Sequence, residues 1–343
     1  MRTLGRGNSL EINGSKPFRA ISRRRFGVLA ATTGVALTAA ACGNQDAGGA
    51  GGGSQTTLKI AYQPNFGYAP LMVLKSKGWL QESLPNWDVS YQTVNSGALI
   101  RSGMISGDIQ VGALALSPFL VGWDKGLDWK IVSALSDIDQ WLMAKDPRID
   151  SLADFTPSDK IAVLSADNNQ AILLRIAAKQ QLGNADALKV NEVYMPHDTG
   201  TQSLLTGRVA AQFTNPPYQF KDRDAGARRI LGSHDIFGGP DRPIFGAVAV
   251  RQPYIEDNPD VIEALRTGIS RAADFITSDP DESAAILAAE FGEDASTISA
   301  QLHEPSVTFT SGVTGVQAMA EAMQAIGVIK TTPSSDSEVI STS

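Results

Sequence analysis

Hydrophobic and polar positions follow one another along this chain in a repeating order of strand, turn and helix. Over 58–80, LKIAYQPNFGYAPLMVLKSKGWL, the residues Leu58, Ile60 and Tyr62 alternate with Lys59 and Ala61. Pro64-Asn65-Phe66-Gly67 breaks the alternation, and Leu71, Met72 and Leu74 resume at helical spacing as far as Gly78. This predicts the first half of a β-α-β unit. Its strand ends in the 63–68 turn, where the N–H groups and positive dipole end of the new helix face outward and suit an anionic or polar ligand.

The unit recurs. A strand over 88–94 runs into the capping turn Asn95-Ser96-Gly97, and Ala98, Leu99, Ile100, Met104 and Ile105 follow as a helix closed by Gly107. A short strand over 109–112, a cap and N1 proline at Ser117-Pro118 before 119–123, and strands over 130–135 and 141–144 come next. The three strand-to-helix turns at 66–68, 95–97 and 116–118 are expected on one sheet edge. A second lobe starts near Asp146-Pro147 with a helical turn over 151–155, a strand over 160–164 and a capping run over 165–169. The helix behind that cap has Ile172, Leu173, Ile176, Ala177 and Leu182 on its apolar face and ends at Gly183. A strand over 190–195 leads to a turn over 196–201 and a helix over 202–206, and a strand over 209–213 stops at Thr214-Asn215-Pro216-Pro217-Tyr218. Consecutive prolines fit neither strand nor helix interior, so the chain turns sharply there, with Pro217 pre-set for a helix start.

The uncharged segment 244–250 predicts a buried central strand that carries the chain back to the first lobe. Helices follow over 260–277, 279–291 and 312–326, the first with Val261, Ile262, Leu265, Ile269, Ala272, Ala273 and Ile276 on one face. The Ser/Thr-rich tail from Thr331 is expected to fray.

Composition changes this picture mainly at the front. Arg2, Arg6, Lys16, Arg19, Arg23, Arg24 and Arg25 stand against only Glu11, and an uncharged run over 26–41, too short and too rich in Ala, Gly and Thr for a membrane span, ends in Ala39-Ala40-Ala41-Cys42. Residues 1–41 therefore read as an export signal. Ser22-Arg23-Arg24-Arg25-Phe26 resembles the twin-arginine signature, and the small residues before Cys42 resemble a bacterial lipoprotein box, with Ala39 where leucine is usual. A plain signal peptide cleaved after Ala41 is the other reading. Cys42 is the only cysteine, which excludes disulfides and cysteine metal clusters and fits lipidation at a flexible tether over 42–56. Without the signal the chain keeps 22 basic and 35 acidic residues, a net charge of −13 that repels nucleic acid and anionic lipid surfaces.

No nucleophile elbow, phosphate loop, zinc-protease or calcium-loop motif occurs, and His197, His234 and His303 have no metal-ligand spacing, so neither a metal nor a cofactor is expected. His197 lies in a strand-to-helix turn, where a ligand contact and an ordinary surface or packing role are both open. Asp139, Asp167 and Asp198 read as helix caps before they read as catalytic acids. Phe66, Tyr68, Trp141, Phe213 and Tyr218 all fall near strand ends, the pattern of a pocket walled for an organic ligand.

Leu58-Lys59-Ile60-Ala61-Tyr62-Gln63 with its aromatic-Gly turn and Lys77-Gly78-Trp79-Leu80, Asn95-Ser96-Gly97-Ala98-Leu99 with Ser106-Gly107-Asp108-Ile109, Ser151-Leu152-Ala153-Asp154, and 213–220 (FTNPPYQF) occur in an order that resembles the periplasmic binding proteins of nitrate, sulfonate and taurine ABC importers. The resemblance implies an α/β, two-lobed periplasmic-binding-protein fold of type II kind, with two crossover strands as hinge and a mainly helical C-terminal part. Lobe 1 would be 57–143 and 245–335, lobe 2 144–244, and 336–343 a tail. It implies ligand contacts at Gln63, Phe66, Gly67, Tyr68, Asn95, Ser96, Gly97, Ala98 and Ser117 from one lobe. Asp167, Asn168, Asn169, His197, Asp198, Asn215 and Tyr218 would supply those of the other. The implied partners are a small anion, a permease with its ATPase, and the membrane through the lipid anchor. The implied protein is a monomer on the outer face of the cytoplasmic membrane. Ala98 stands where sulfonate binders often carry proline, and no Lys or Arg sits at the strand ends, which leaves a thiamine-precursor pyrimidine as an alternative solute. Relatives on this fold include biosynthetic enzymes, but the cysteine-rich motif of the pyrimidine synthase is missing. A sensing lipoprotein without an importer is the further alternative.

Overall fold

The computed structural model describes residues 56–342; the export signal, Cys42 and the tether as far as Gln55 lie outside the described residues. The strands are β1 (Thr56–Tyr62), β2 (Trp87–Thr93), β3 (Val111–Ala115), β4 (Trp129–Ile138), β5 (Trp141–Ala144), β6 (Ile161–Val163), β7 (Glu192–Tyr194), β8 (Ala211–Thr214), β9 (Arg228–Gly232), β10 (Gly246–Arg251) and β11 (Val307–Phe309). They form two sheets, ordered β11-β4-β10-β3-β1-β2 and β7-β6-β8-β5-β9.

Each sheet carries one strand that comes from the other lobe. β1 pairs in parallel with β2 and β3, while β10, returning from the second sheet, enters antiparallel between β3 and β4. β6 likewise pairs in parallel with β7 and β8, and β5 enters antiparallel between β8 and β9. The uncharged runs of β3, β5 and β10 are buried along nearly their whole length, as central strands covered on both faces must be. Because β5 belongs to the second sheet, the chain leaves the first at Asp139-Gln140, ahead of the boundary expected after Met143.

Several expected elements are displaced for identifiable reasons. The third strand is Val111–Ala115, not 109–112, because it is apolar on both faces and gives no alternation to read. The next helix, Leu116–Asp124, starts two residues early with Ala115 at its cap, so Ser117 does not cap it. The helix expected over 202–206 begins at His197, with Pro196 at its cap. Thr199-Gly200-Thr201 is a poor helix former, yet it is helical here, and a Cβ on Gly200 would stand 2.7 Å from the Gln212 amide, so a larger residue would have to displace that side chain from the His197 carbonyl it holds. The last helix begins at Val316 rather than Gly312, since Ser311 and Thr314 spend their carbonyls on Ala134 and Ile244.

Strands β9 and β11 and the Ala295–Leu302 helix were not expected. The C-terminal tail does not fray. Val339 is fully buried, Ile131 N–H donates to its carbonyl at 2.7 Å, Ile340 bridges Ile131, and Arg266 holds the Ser341 carbonyl at 2.7 Å.

The two hydrophobic clusters each run through both lobes: one joins Leu265 and Phe245 to Leu204 and Phe220, the other Ile100 and Leu120 to Ile161 and Ile172. Polar contacts cross as well. Phe66 N–H donates to the Pro216 carbonyl at 3.2 Å, Arg223 pairs with Glu304 at 2.6 Å, and Lys221 pairs with Glu293. The lobes are closed on one another. Among the described residues no helix is long and apolar enough to cross a membrane.

Candidate functional site

The parallel strands β1, β2 and β3 of one lobe and β6, β7 and β8 of the other end at the same cleft, so six turns meet there. Local chemistry fixes their shapes. Asn65 Oδ1 accepts from Gly67 N–H at 2.9 Å, the Ser96 hydroxyl accepts from Leu99 N–H at 3.4 Å, and Asn168 Oδ1 accepts from Ala171 N–H at 3.0 Å. The last two start the Gly97–Ser106 and Asn169–Leu182 helices, whose first residues face each other across the cleft. A Cβ on Gly97 would lie 3.0 Å from the Pro118 ring, so a larger residue there would have to press the ring back slightly.

The closed cleft has two chambers. The inner one holds about 20 Å³, room for roughly one water, and is lined by Gln63, Tyr68, Gly97, Ala98, Asp167, Asn168, Asn169, His197 and Asn215, all expected. The outer one holds about 310 Å³ between Gln63, Asn95, His197, Asp198 and Tyr218. Phe66, Gly67, Ser96 and Ser117 stand off both. Phe66 is fully buried with its ring centroid 5.1 Å from that of Phe291, and Gly67 packs under Phe245 with its carbonyl accepting from Ser136 Oγ at 2.9 Å. Ser96 spends its hydroxyl on its own helix, and Ser117 donates to Asn169 Oδ1 across the cleft at 2.5 Å. Of the expected aromatic wall, Phe213 is core and Trp141 is packed on Phe220 with its Nε1 donating to Asp139 at 2.8 Å; Tyr68 and Tyr218 remain.

Residues not anticipated complete the walls: Pro118 and Gln170, Asn65 from the first turn, and Phe245 from the returning segment. Arg101 was also missed. It sits a helical turn inside Gly97–Ser106, not at a strand end, and reaches Asp167 of the other lobe at 3.4 Å.

The cleft is polar but poor in charge: no Lys or Arg lines either chamber. His197 Nδ1 lies 3.0 Å from Thr214 Oγ1, its ring lies 5.4 Å from that of Tyr218, and burial pushes its pKa down to about 4 against the smaller opposing pull of Asp198. The imidazole is therefore neutral at physiological pH. Burial also raises the Tyr68 hydroxyl far above its ordinary range, and it accepts from Gln63 Nε2 at 3.0 Å. Burial, then the Asp198 charge, raises Tyr218. Among the described residues no cluster of three or more His, Cys, Asp or Glu suits a metal ion.

The sequence model of the NMT1-like family matches residues 51–290. The chain belongs to the NMT1-like family. No curated protein matches it. Among solved structures it is similar to the periplasmic aliphatic sulphonate binding protein SsuA from Escherichia coli, at 23% identity and TM-score 0.64 over 80% of this chain and 91% of that one. It is similar to the alkanesulfonate-binding protein SsuA from Xanthomonas axonopodis pv. citri bound to MOPS, at 17% identity and TM-score 0.68 over 80% and 94%. The periplasmic nitrate-binding protein NrtA from Synechocystis PCC 6803 follows at 15% and 0.67 over 83% and 84%. The fold of this NMT1-like chain is that of the periplasmic binding proteins, in line with the two interleaved sheets.

Proposed function

We propose that this protein is the extracytoplasmic solute-binding component of an ABC importer, which captures a small organic anion between its lobes and presents it to a membrane permease. The observation that carries this reading is the meeting of two helix N-termini, Gly97-Ala98 and Asn168-Asn169-Gln170, from opposite lobes at one cavity. Free N–H groups and dipole ends stabilise negative charge without a lysine or arginine. The similar solved structures named for sulfonate and nitrate binding support the solute class.

The geometry also favours capture by hinge motion. An inner chamber of about 20 Å³ cannot take an organic acid, so the solute enters when the lobes part at the crossings near 139–140 and 233–245. Opening must break Ser117–Asn169 and Arg101–Asp167, and a bound solute replaces part of what those contacts supply. Catalysis is not favoured: the histidine lining the cleft gives its Nδ1 to Thr214, which is fully buried behind it.

The test is a thermal-shift panel of alkyl and aryl sulfonates, taurine, nitrate, small carboxylates and pyrimidines. A true solute raises the melting point with concentration, by about 2.7 kcal/mol of added stability at a hundred times Kd. We expect organic sulfonates to lead; a panel in which no acid gives a concentration-dependent shift defeats the reading.

The same proposal places the protein on the outer face of the membrane through Cys42. Labelled palmitate is expected on the wild type and not on Cys42→Ala, whose body is released into the medium. Label retained by the variant would rule the anchor out.

A further inference from the structure

One cation stands just behind the wall of the inner chamber, and its hydrogen-bonding capacity is largely unused. Arg101 lies one helical turn past Gly97 with its side chain 14% exposed, and its two partners, the Pro118 carbonyl at 3.5 Å and Asp167 Oδ2 at 3.4 Å, both belong to residues that line that chamber. Both contacts are at the outer limit of hydrogen bonding. The guanidinium has five N–H donors and no further partner among the described residues. Arg175 shows what this sequence builds where an arginine at the same depth has only to be neutralised. At 15% exposure it holds both oxygens of Glu192, at 2.8 and 2.7 Å.

The carboxylate opposite Arg101 is held as loosely. Asp167 sits in the turn ahead of the Asn168 cap, 42% exposed, and its Oδ1 accepts from Ser165 Oγ at 2.9 Å. It can swing into water at little cost, whereas Arg101 is fixed behind the chamber and its charge needs an anion beside it. Asp167 therefore stands where the acid group of a solute would stand, within reach of Arg101 at the meeting of the two helix starts. Resting on the anion-capture reading above, we propose that Asp167 is a built-in competitor for the site: the entering anion displaces it from Arg101, takes the guanidinium as counter-charge and sends the Asp167 carboxylate out to solvent. The exchange also enlarges a chamber that holds only about 20 Å³. A neutral solute that displaced Asp167 would leave Arg101 buried and uncompensated, so the exchange admits acids and rejects neutral molecules of the same shape.

The test is calorimetric titration near neutral pH with two acids, ethanesulfonate and propionate, and with ethyl methyl sulfone, the neutral counterpart of the first. Wild type should bind an acid and not the sulfone. Asp167→Asn, which leaves Arg101 without its competitor, should bind that acid at least about fivefold more tightly. Arg101→Gln should weaken it by about thirtyfold, and Arg101→Lys should recover part of the loss. Adding Asp167→Asn to Arg101→Gln should change little, because the competition acts through the arginine. The unliganded melt of each variant reports whether it is folded; Asp167 is part-exposed in a turn, so Asp167→Asn is expected to fold. Affinity that is unchanged or lower in Asp167→Asn makes the Arg101–Asp167 pair a closing latch, which overturns the exchange and leaves anion capture standing. Binding of neither acid by wild type or by Asp167→Asn, or of the sulfone as tightly as the acids, overturns both.

Discussion

Replacing Asp222 by asparagine is expected to raise the free energy of unfolding by about 4 kcal/mol at pH 8. Asp222 is fully buried on the Tyr218–Asp224 helix, and neither carboxyl oxygen has a well-formed hydrogen bond. Burial drives its pKa from the ordinary 3.8 up to about 7; Thr201 stands beside it and pulls the other way, but its hydroxyl lacks good bonding geometry and burial wins. Since the folded state holds the proton more tightly than the unfolded chain, stability falls as pH rises from about 4 and reaches its floor above about 7. Each pH unit in that window is worth ~1.4 kcal/mol. Asparagine keeps the shape and has no charge to bury, so its advantage should grow through the window and level off above it. Urea unfolding of wild type and variant at pH 4, 6 and 8 measures this directly. A difference that does not depend on pH would mean that the Asp222 carboxylate finds water or a cation in solution.

The helix that carries this buried acid also sets Tyr218 in the cleft, through a turn that the sequence announced plainly. Pro216-Pro217 admits neither strand nor helix, so a sharp bend before a helix start was legible from residue types alone. The same holds for β1 and the turn after it, where alternation, breaker and helical spacing agree. Where a strand is buried on both faces, as at Val111–Ala115, or opens on charges, as at Arg228-Arg229, the pattern carries no period and the element was displaced or missed. The tail misled for a related reason: Val339 and Ile340 are too few to show a period, yet they are enough to dock beside β4.

For the site, strand ends told which turns meet but not which way each side chain points. Phe66 and Ser117 sit in the right turns and face the core and the opposite lobe. Arg101 and Phe245 enter only through contacts between distant segments, and no local pattern encodes those.

Solute binding should weaken in mild acid, with a slope that steepens below pH 6.5 toward about tenfold per pH unit. The cause is His197, which in the closed cleft is packed on Tyr218 and bonded to Thr214, and whose pKa burial lowers from 6.5 to about 4. In an open cleft the ring meets water and returns toward its ordinary value, so closure must expel any proton that the open form has taken up. The sign follows: the folded, closed state holds the proton less tightly, so its stability is complete above 6.5 and is lost as pH falls toward about 4, roughly 3 kcal/mol in all. Asp198 opposes this by attracting the imidazolium, but it is exposed and its pull is the smaller effect. A titration series that stops at pH 5, above the ordinary carboxylate range, isolates the histidine and should show roughly a fifteenfold rise in Kd from pH 6.5. His197→Gln, which has no titrating ring, should show a flat profile over the same range, whatever its affinity. If wild-type binding is equally flat, closure does not bury His197 and the closed cleft described here is not the solute-holding state.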